Sequence, residues 1–133
     1  MAAQLSKVGF VAGQVVQEIG YDSDTDDDVR LGIETLVAGE LEDEDYTGAA
    51  DAVLLWWRSD DGDLVDALVD AQTNLADQGF LLLMTPKSGR DGHVEAADTH
   101  EAAVVAGLLL VGTANVSSGW VGTRVVAAQG ARR

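Results

Sequence analysis

Residue types able to do chemistry gather in three short stretches of this chain: Gly20-Tyr21-Asp22-Ser23-Asp24-Thr25, Trp57-Arg58 up to Gly62, and Pro86 to Asp98 with Lys87, Arg90 and His93. If each stretch follows a parallel strand, all three lie at the carboxyl edge of one sheet, where loops line the crevice at the topological switch point. The expected ligand site is then Gly20, Asp22, Asp24, Trp57, Arg58, Lys87, Arg90 and His93. An acidic wall facing a basic loop suits a zwitterion or another small polar metabolite. The same groups can equally close the crevice as internal salt bridges, and closure is the favoured outcome.

Catalytic signatures are thin. His93 has the titration range of a general base, but nothing in the sequence pairs with it. His100 falls in the first turn of a helix and reads as a surface residue. Ser88 and Ser118 lack a nucleophile-elbow pattern, and Gly62, Gly89 and Gly92 belong to no phosphate loop. Asp22, Asp24, Asp26 and Asp28 invite a calcium reading, yet an EF-hand loop starting at Asp22 would need glycine at Asp27 and glutamate at Ile33. No catalytic residue, metal site or cofactor is assigned, and the reading leans away from an enzyme.

The elements that must position these residues follow from periodicity. Gln14 to Gly20 is β-branched and strand-length. Thr25 and Asp28 form a capping box, and Val29, Ile33, Leu36 and Val37 recur at helical spacing up to Gly39. Glu40 to Tyr46 is too charged for a central strand and reads as a short edge strand or a loop. Ala50 to Trp57, apolar after Asp51, is expected at the sheet centre, covered on both faces. Asp63 starts a second helix along Leu64, Val65, Leu68, Val69, Gln72 and Leu75, closing near Gly79. Phe80 to Thr85 is another buried strand ended by Pro86, which cannot donate to the ladder. Asp98 and Glu101 cap a third helix that ends at Gly107, and Leu108 to Val116 and Trp120 to Ala127 close the sheet. Trp56 and Trp57 point to opposite faces. Both are expected in the core, the alternative being an exposed Trp57 or Trp120 as an interface anchor.

Composition bounds the rest. A chain of 133 residues is one domain, with residues 1–8 and 129–133 expected to fray. Without cysteine it has no disulfide or thiolate site. No export signal or membrane-length apolar run is visible, so the expected location is cytoplasmic. The net charge of −15 is lopsided: residues 1–77 carry 19 acidic and 3 basic side chains, residues 78–133 carry 4 and 5. That field repels nucleic acid and suits a protein partner with a basic surface. Homo-oligomerisation through the terminal strand pair is a further expectation.

Asp51-Ala52-Val53-Leu54-Leu55, Leu75 to Leu83, and Ala106-Gly107-Leu108 leading into Trp120 to Val126 resemble the second half of a class I S-adenosylmethionine-dependent methyltransferase. More closely, Gly9 to Glu18, Val53 to Trp57, Thr85 to Val94 and Trp120 to Arg124 resemble the DUF3052 family of actinomycetes, a domain of unknown function. The resemblance implies an α/β, three-layer, Rossmann-like domain: a mostly parallel sheet, helices on both faces, an antiparallel C-terminal strand, and one strand and helix fewer than the full enzyme. It also implies that the first strand should end in an acidic residue followed by Gly-x-Gly-x-Gly, because only glycine lets the backbone approach the cofactor closely. The aligned stretch is Glu18-Ile19-Gly20-Tyr21-Asp22-Ser23-Asp24, with aspartates in place of the second and third glycines. Those carboxylates would repel the methionine carboxylate of the cofactor. The expected function is a catalytically inactive, methyltransferase-like regulatory module that binds a protein or senses a ligand. The alternatives are a polar-metabolite protein or enzyme using Arg58, Lys87, Arg90 and His93, and an active methyltransferase.

Overall fold

The computed structural model describes residues 5–128. Strand β1 (Val16–Ile19) leads to helix α1 (Asp27–Val37), then β2 (Ala50–Trp56), α2 (Leu64–Ala71), β3 (Leu75–Pro86), α3 (Ala96–Val105), β4 (Leu108–Ala114) and β5 (Trp120–Ala127). The sheet order is β1-β2-β3-β5-β4. The first three strands are parallel, and β5 runs antiparallel to both β3 and β4. This is the expected mostly parallel α/β sheet with an antiparallel C-terminal strand.

Strand alternation divides the core in two. Ala52, Leu54 and Trp56 of β2, with Leu82 and Met84 of β3, meet Val29, Ile33 and Val37 of α1 on one face. Val53, Leu55 and Trp57, with Leu81 and Leu83, meet Leu68 and Ala71 of α2 and Ala102 and Ala103 of α3 on the other. Trp56 and Trp57 therefore point to opposite faces. Both are buried, as is Trp120, so none of the three is an exposed anchor. Leu5 and Val8 are also buried, so the N-terminal turn belongs to the core where fraying was expected. The fraying expected of residues 1–4 and 129–133 lies outside the described residues.

Several local expectations are corrected. The centre of the sheet is β3, because the C-terminal hairpin adds two strands on its far side; β2 and β3 are equally apolar, and hydrophobic continuity alone cannot rank them. Helix α2 stops at Ala71 rather than near Gly79. Gln72 Nε2 donates to Leu68 O at 3.2 Å and to Ala106 O at 3.3 Å, Ala50 N donates to Asn74 O at 2.8 Å, and Leu75 already pairs with Ala50 in the sheet. Leu75 thus meets the core from a strand, in phase with the helical pattern only by coincidence. The cap of α1 is Asp26, whose Oδ1 accepts from Asp28 N at 2.9 Å, while Thr25 Oγ1 donates back to Asp22 O at 2.8 Å. A carboxylate at the positive helix end outcompetes a hydroxyl already engaged in a turn. Helix α3 starts before Asp98, with Glu95 as N-cap and no side-chain capping bond.

The acidic stretch after α1 does cover an edge. Glu42 N donates to Val16 O at 2.8 Å and Glu18 N to Glu42 O at 2.7 Å, a single parallel bridge along β1. One rim of the sheet is thereby capped by charge.

Candidate functional site

The carboxyl ends of β1, β2 and β3 and the start of β5 share one edge, which brings the loops after them together. Gly20 turns the chain there at φ +86°, and a Cβ would sit 2.3 Å from Trp56 O. Only glycine permits this approach. Its N–H donates to Glu44 Oε2 and its carbonyl accepts from Arg58 Nη1, both at 2.8 Å.

Arg58 is the hub. It grips Asp24 through two hydrogen bonds, Nε to Oδ2 at 3.0 Å and Nη2 to Oδ1 at 2.5 Å, and its side chain is only 12% exposed. Its backbone N–H donates to Asp61 Oδ2 at 2.9 Å, and its guanidinium lies 5.2 Å from the Trp120 ring centroid. Trp120 Nε1 in turn donates to Asp24 O at 3.2 Å, and Ser117 Oγ donates to Asp26 Oδ2 at 2.6 Å. The loop after β1 is therefore latched at Asp24 and Asp26 to β2 and to the β4–β5 turn.

The hydrogen bond from Arg58 holds the Asp24 carboxyl below its usual range, against the opposing effect of burial; the same contact raises the Arg58 pKa. A folded pKa below the unfolded value stabilises the protein above about pH 4 and loses that contribution as pH falls through the lower folded pKa. Asp24 is 42% exposed, so solvent screening keeps the pair to about 1 kcal/mol or less. Asp24→Asn is accordingly expected to cost little at pH 7 and to show a shallower acid loss than the parent in urea unfolding below pH 4. Equal acid slopes would remove Asp24 from the latch.

A second carboxylate lies deeper. Glu18, 6% exposed, accepts from Arg30 Nε at 2.7 Å, Arg30 Nη2 at 2.9 Å and Trp56 Nε1 at 2.8 Å. The Arg30 guanidinium also lies 4.4 Å from the Tyr21 ring centroid. These links join β1, α1, β2 and the loop. Both Glu18 oxygens are thus occupied inside the protein.

Of the residues expected from sequence, Gly20, Asp24 and Arg58 come together. Gly20, Asp22, Trp57 and Arg58 together line an adjoining cavity of about 380 Å³, whose other walls include Leu55 and the carboxylates Glu44, Asp61 and Asp70. Arg90 stays at this edge, where it lines a further cavity of about 430 Å³ with Asp24 and Asp26, whereas Lys87 and His93 are directed elsewhere. Lys87 Nζ donates to Asn115 Oδ1 at 3.3 Å; Arg90 Nη1 donates to Gly119 O at 2.8 Å, 5.6 Å from the Trp120 ring centroid. His93 Nδ1 lies 2.9 Å from Pro86 O, which can only accept, and its Nε2 is 3.3 Å from Glu95. The four basic residues do not share a pocket. Sequence reasoning missed Arg30, Glu44 and Ser117, whose contacts span 12 to 91 positions and leave no local signal, and it gave neither Glu18, aligned only as the acidic end of the first strand, nor Trp120, weighed only as an interface anchor, its part in this network.

Among the described residues, no group of three His, Asp or Glu side chains could hold a metal ion, and no helix is long and apolar enough to cross a membrane. The residues also do not fit a glycine-loop cofactor cradle. Both backbone groups of Gly20 are taken, and Asp24 is committed to Arg58.

A family model described as "Protein of unknown function (DUF3052)" matches residues 5–129. The chain belongs to this family. The DUF3052 chain is 48% identical over 120 residues to uncharacterised proteins of Mycobacterium tuberculosis and Mycobacterium bovis, covering 90% of its own length and 75% of theirs. Its fold is similar to solved methyltransferases. A TehB-like S-adenosylmethionine-dependent methyltransferase from Corynebacterium glutamicum matches with a TM-score of 0.57 at 12% identity, over 95% of this chain and 86% of that one. A putative methyltransferase from Thermoplasma acidophilum matches at 0.56 and 11%, over 92% and 71%. At such identities the likeness concerns the DUF3052 fold alone.

Proposed function

We propose that this DUF3052 chain is a catalytically silent methyltransferase-fold module that recognises a basic segment of a partner protein at the carboxyl edge of its sheet. The observation that carries this reading is the Asp24–Arg58 latch, which closes the loop after β1 against the sheet. A loop held by its own carboxylate is committed to the closed geometry and is not free to wrap a cofactor. The neighbouring cavity supports the second half of the reading. Its apolar residues Leu55 and Trp57 fit the aliphatic stem of a lysine or arginine, and its four carboxylates, Asp22, Glu44, Asp61 and Asp70, outnumber its one cation, Arg58, which is already paired with Asp24.

Calorimetric titration with S-adenosylmethionine tests the first half. No saturable heat is expected, and micromolar binding would overturn the reading. Fluorescence anisotropy with a labelled lysine- and arginine-rich peptide tests the second. Binding is expected to weaken with salt and to fall several-fold in Asp61→Asn/Asp70→Asn, the two cavity carboxylates on the loop and helix after β2. Peptide binding indifferent to that double substitution would place the partner elsewhere.

A further inference from the structure

Arg30 holds Glu18, Arg58 holds Asp24, and Arg90 donates to the carbonyl of Gly119. Arg124 has no carboxylate partner among the described residues, and its Nε is buried without a hydrogen-bond partner. On β5 it stands between Leu82 of β3 and Gly112 of β4, with its guanidinium carbon 4.5 Å from the Phe80 ring centroid. The N-terminal turn passes over it: a Cβ at Gly9 would lie 3.6 Å from Arg124 Nη2. A guanidinium is charged at every physiological pH, and a buried donor left unpaired is costly. The fold thus positions a cation with unspent hydrogen-bonding capacity.

A cavity of about 260 Å³ adjoins it. Arg124 and Lys7 line it, Val8, Val111 and Ala114 supply apolar wall, and among the described residues no carboxylate takes part. Lys7 is exposed and makes no ion pair among the described residues. Among the described residues, two cations without ion-pair partners around a cavity free of carboxylates stand out in a chain of net charge −15. The sheet order also puts this cavity, beside β4, at the opposite end from the acid-capped rim of β1.

We propose that this cavity binds a monocarboxylate carrying a short apolar chain, with the carboxylate on Arg124 and Lys7 and the chain against Val8, Val111 and Ala114. Guanidinium and carboxylate pair in bidentate geometry, and the terminal nitrogens of Arg124, outside the buried Nε, are the donors the cavity offers. A single negative charge fits better than a phosphate dianion, because only two cations are present and the whole-protein field opposes further negative charge. The apolar wall selects against a purely polar anion. This site is distinct from the latched edge and independent of the partner-binding reading.

Such a carboxylate is either a free short-chain acid or the C-terminus of a peptide, and two probes separate these sources: hexanoate, and acetyl-Ala-Leu with a free carboxylate. Titrations followed by amide proton–nitrogen NMR on the full chain are expected to shift Gly9 and residues 111–114 at about 10 mM of at least one probe or below. Hexanol and acetyl-Ala-Leu amide, which lack the charge, are expected to leave those signals in place. Saturation by hexanoate alone assigns a metabolite; saturation by the dipeptide alone assigns a chain terminus. Arg124→Gln is expected to weaken binding at least tenfold, with Arg124→Lys retaining part of it. Lys7→Gln, at an exposed position, is expected to weaken it a few-fold even if Arg124→Gln proves poorly folded. The proposal is overturned if neither acid shifts these amides, if the neutral analogues shift them equally, or if the substitutions leave the affinity unchanged.

Discussion

Gly20→Ala is expected to lower the unfolding free energy by about 3 kcal/mol, a large part of the margin of a domain this size. Two costs add. The residue sits at φ +86°, where a side chain is strained, and the new Cβ would meet the carbonyl oxygen of Trp56 at 2.3 Å. That oxygen is backbone at the end of β2, so it cannot swing aside as a flexible side chain would. Shifting it disturbs Arg58, whose Nη1 donates to Gly20 O at 2.8 Å and lies 3.4 Å from Trp56 O. Urea unfolding monitored by tryptophan fluorescence measures the loss. Gly39→Ala is the control, since nothing lies within 4 Å of a Cβ there, and it should stay within about 0.5 kcal/mol of the parent. A Gly20→Ala loss below about 1 kcal/mol would mean that the loop does not make this close approach.

Glu18→Ala is expected to cost about 2–4 kcal/mol. The substitution removes the acceptor of buried Trp56 Nε1 and the only deeply placed carboxylate on Arg30. Breaking a fully buried ion pair costs more, but Arg30 is 29% exposed and water can take up its freed guanidinium. Most of the loss therefore falls on the indole donor and on the severed link between β1 and α1. Glu18→Gln separates these contributions. Its amide oxygen can still accept from Trp56 while the charge is gone, so roughly half the loss should be recovered. Identical losses for the two variants would assign the whole effect to the charge pair with Arg30.

The two substitutions address residues of different legibility. Gly20 could be marked from sequence, because a glycine between a β-branched strand and an acidic turn signals a tight reversal. Glu18 could be aligned with the acidic end of a methyltransferase strand, but nothing nearby in the chain announces that Arg30 and Trp56 occupy its oxygens. Helix α2 shows the opposite error. An apolar pattern in helical phase continued through Leu75, and only the pairing of Leu75 with Ala50 reveals that the chain had already turned into the sheet. Lys87, Arg90 and His93 were expected near Asp22 and Asp24 because their loop follows a parallel strand at the same sheet edge; Arg90 does line a cavity with Asp24, while Asn115 holds Lys87 and the Pro86 carbonyl holds His93 away from it.

What the sequence by itself determined is the succession of strands and helices, the two-faced apolar character of β2 and β3, and the presence of aspartates where a cofactor loop carries glycines. These are local properties, written in periodicity and residue type over a few turns of chain. What only the tertiary structure decided is the use made of those aspartates. Asp24 meets Arg58 across 34 positions and Asp26 meets Ser117 across 91. Such pairs depend on strand order and register, which bring distant loops to one sheet edge, and no local pattern encodes which carboxylate will find which donor there.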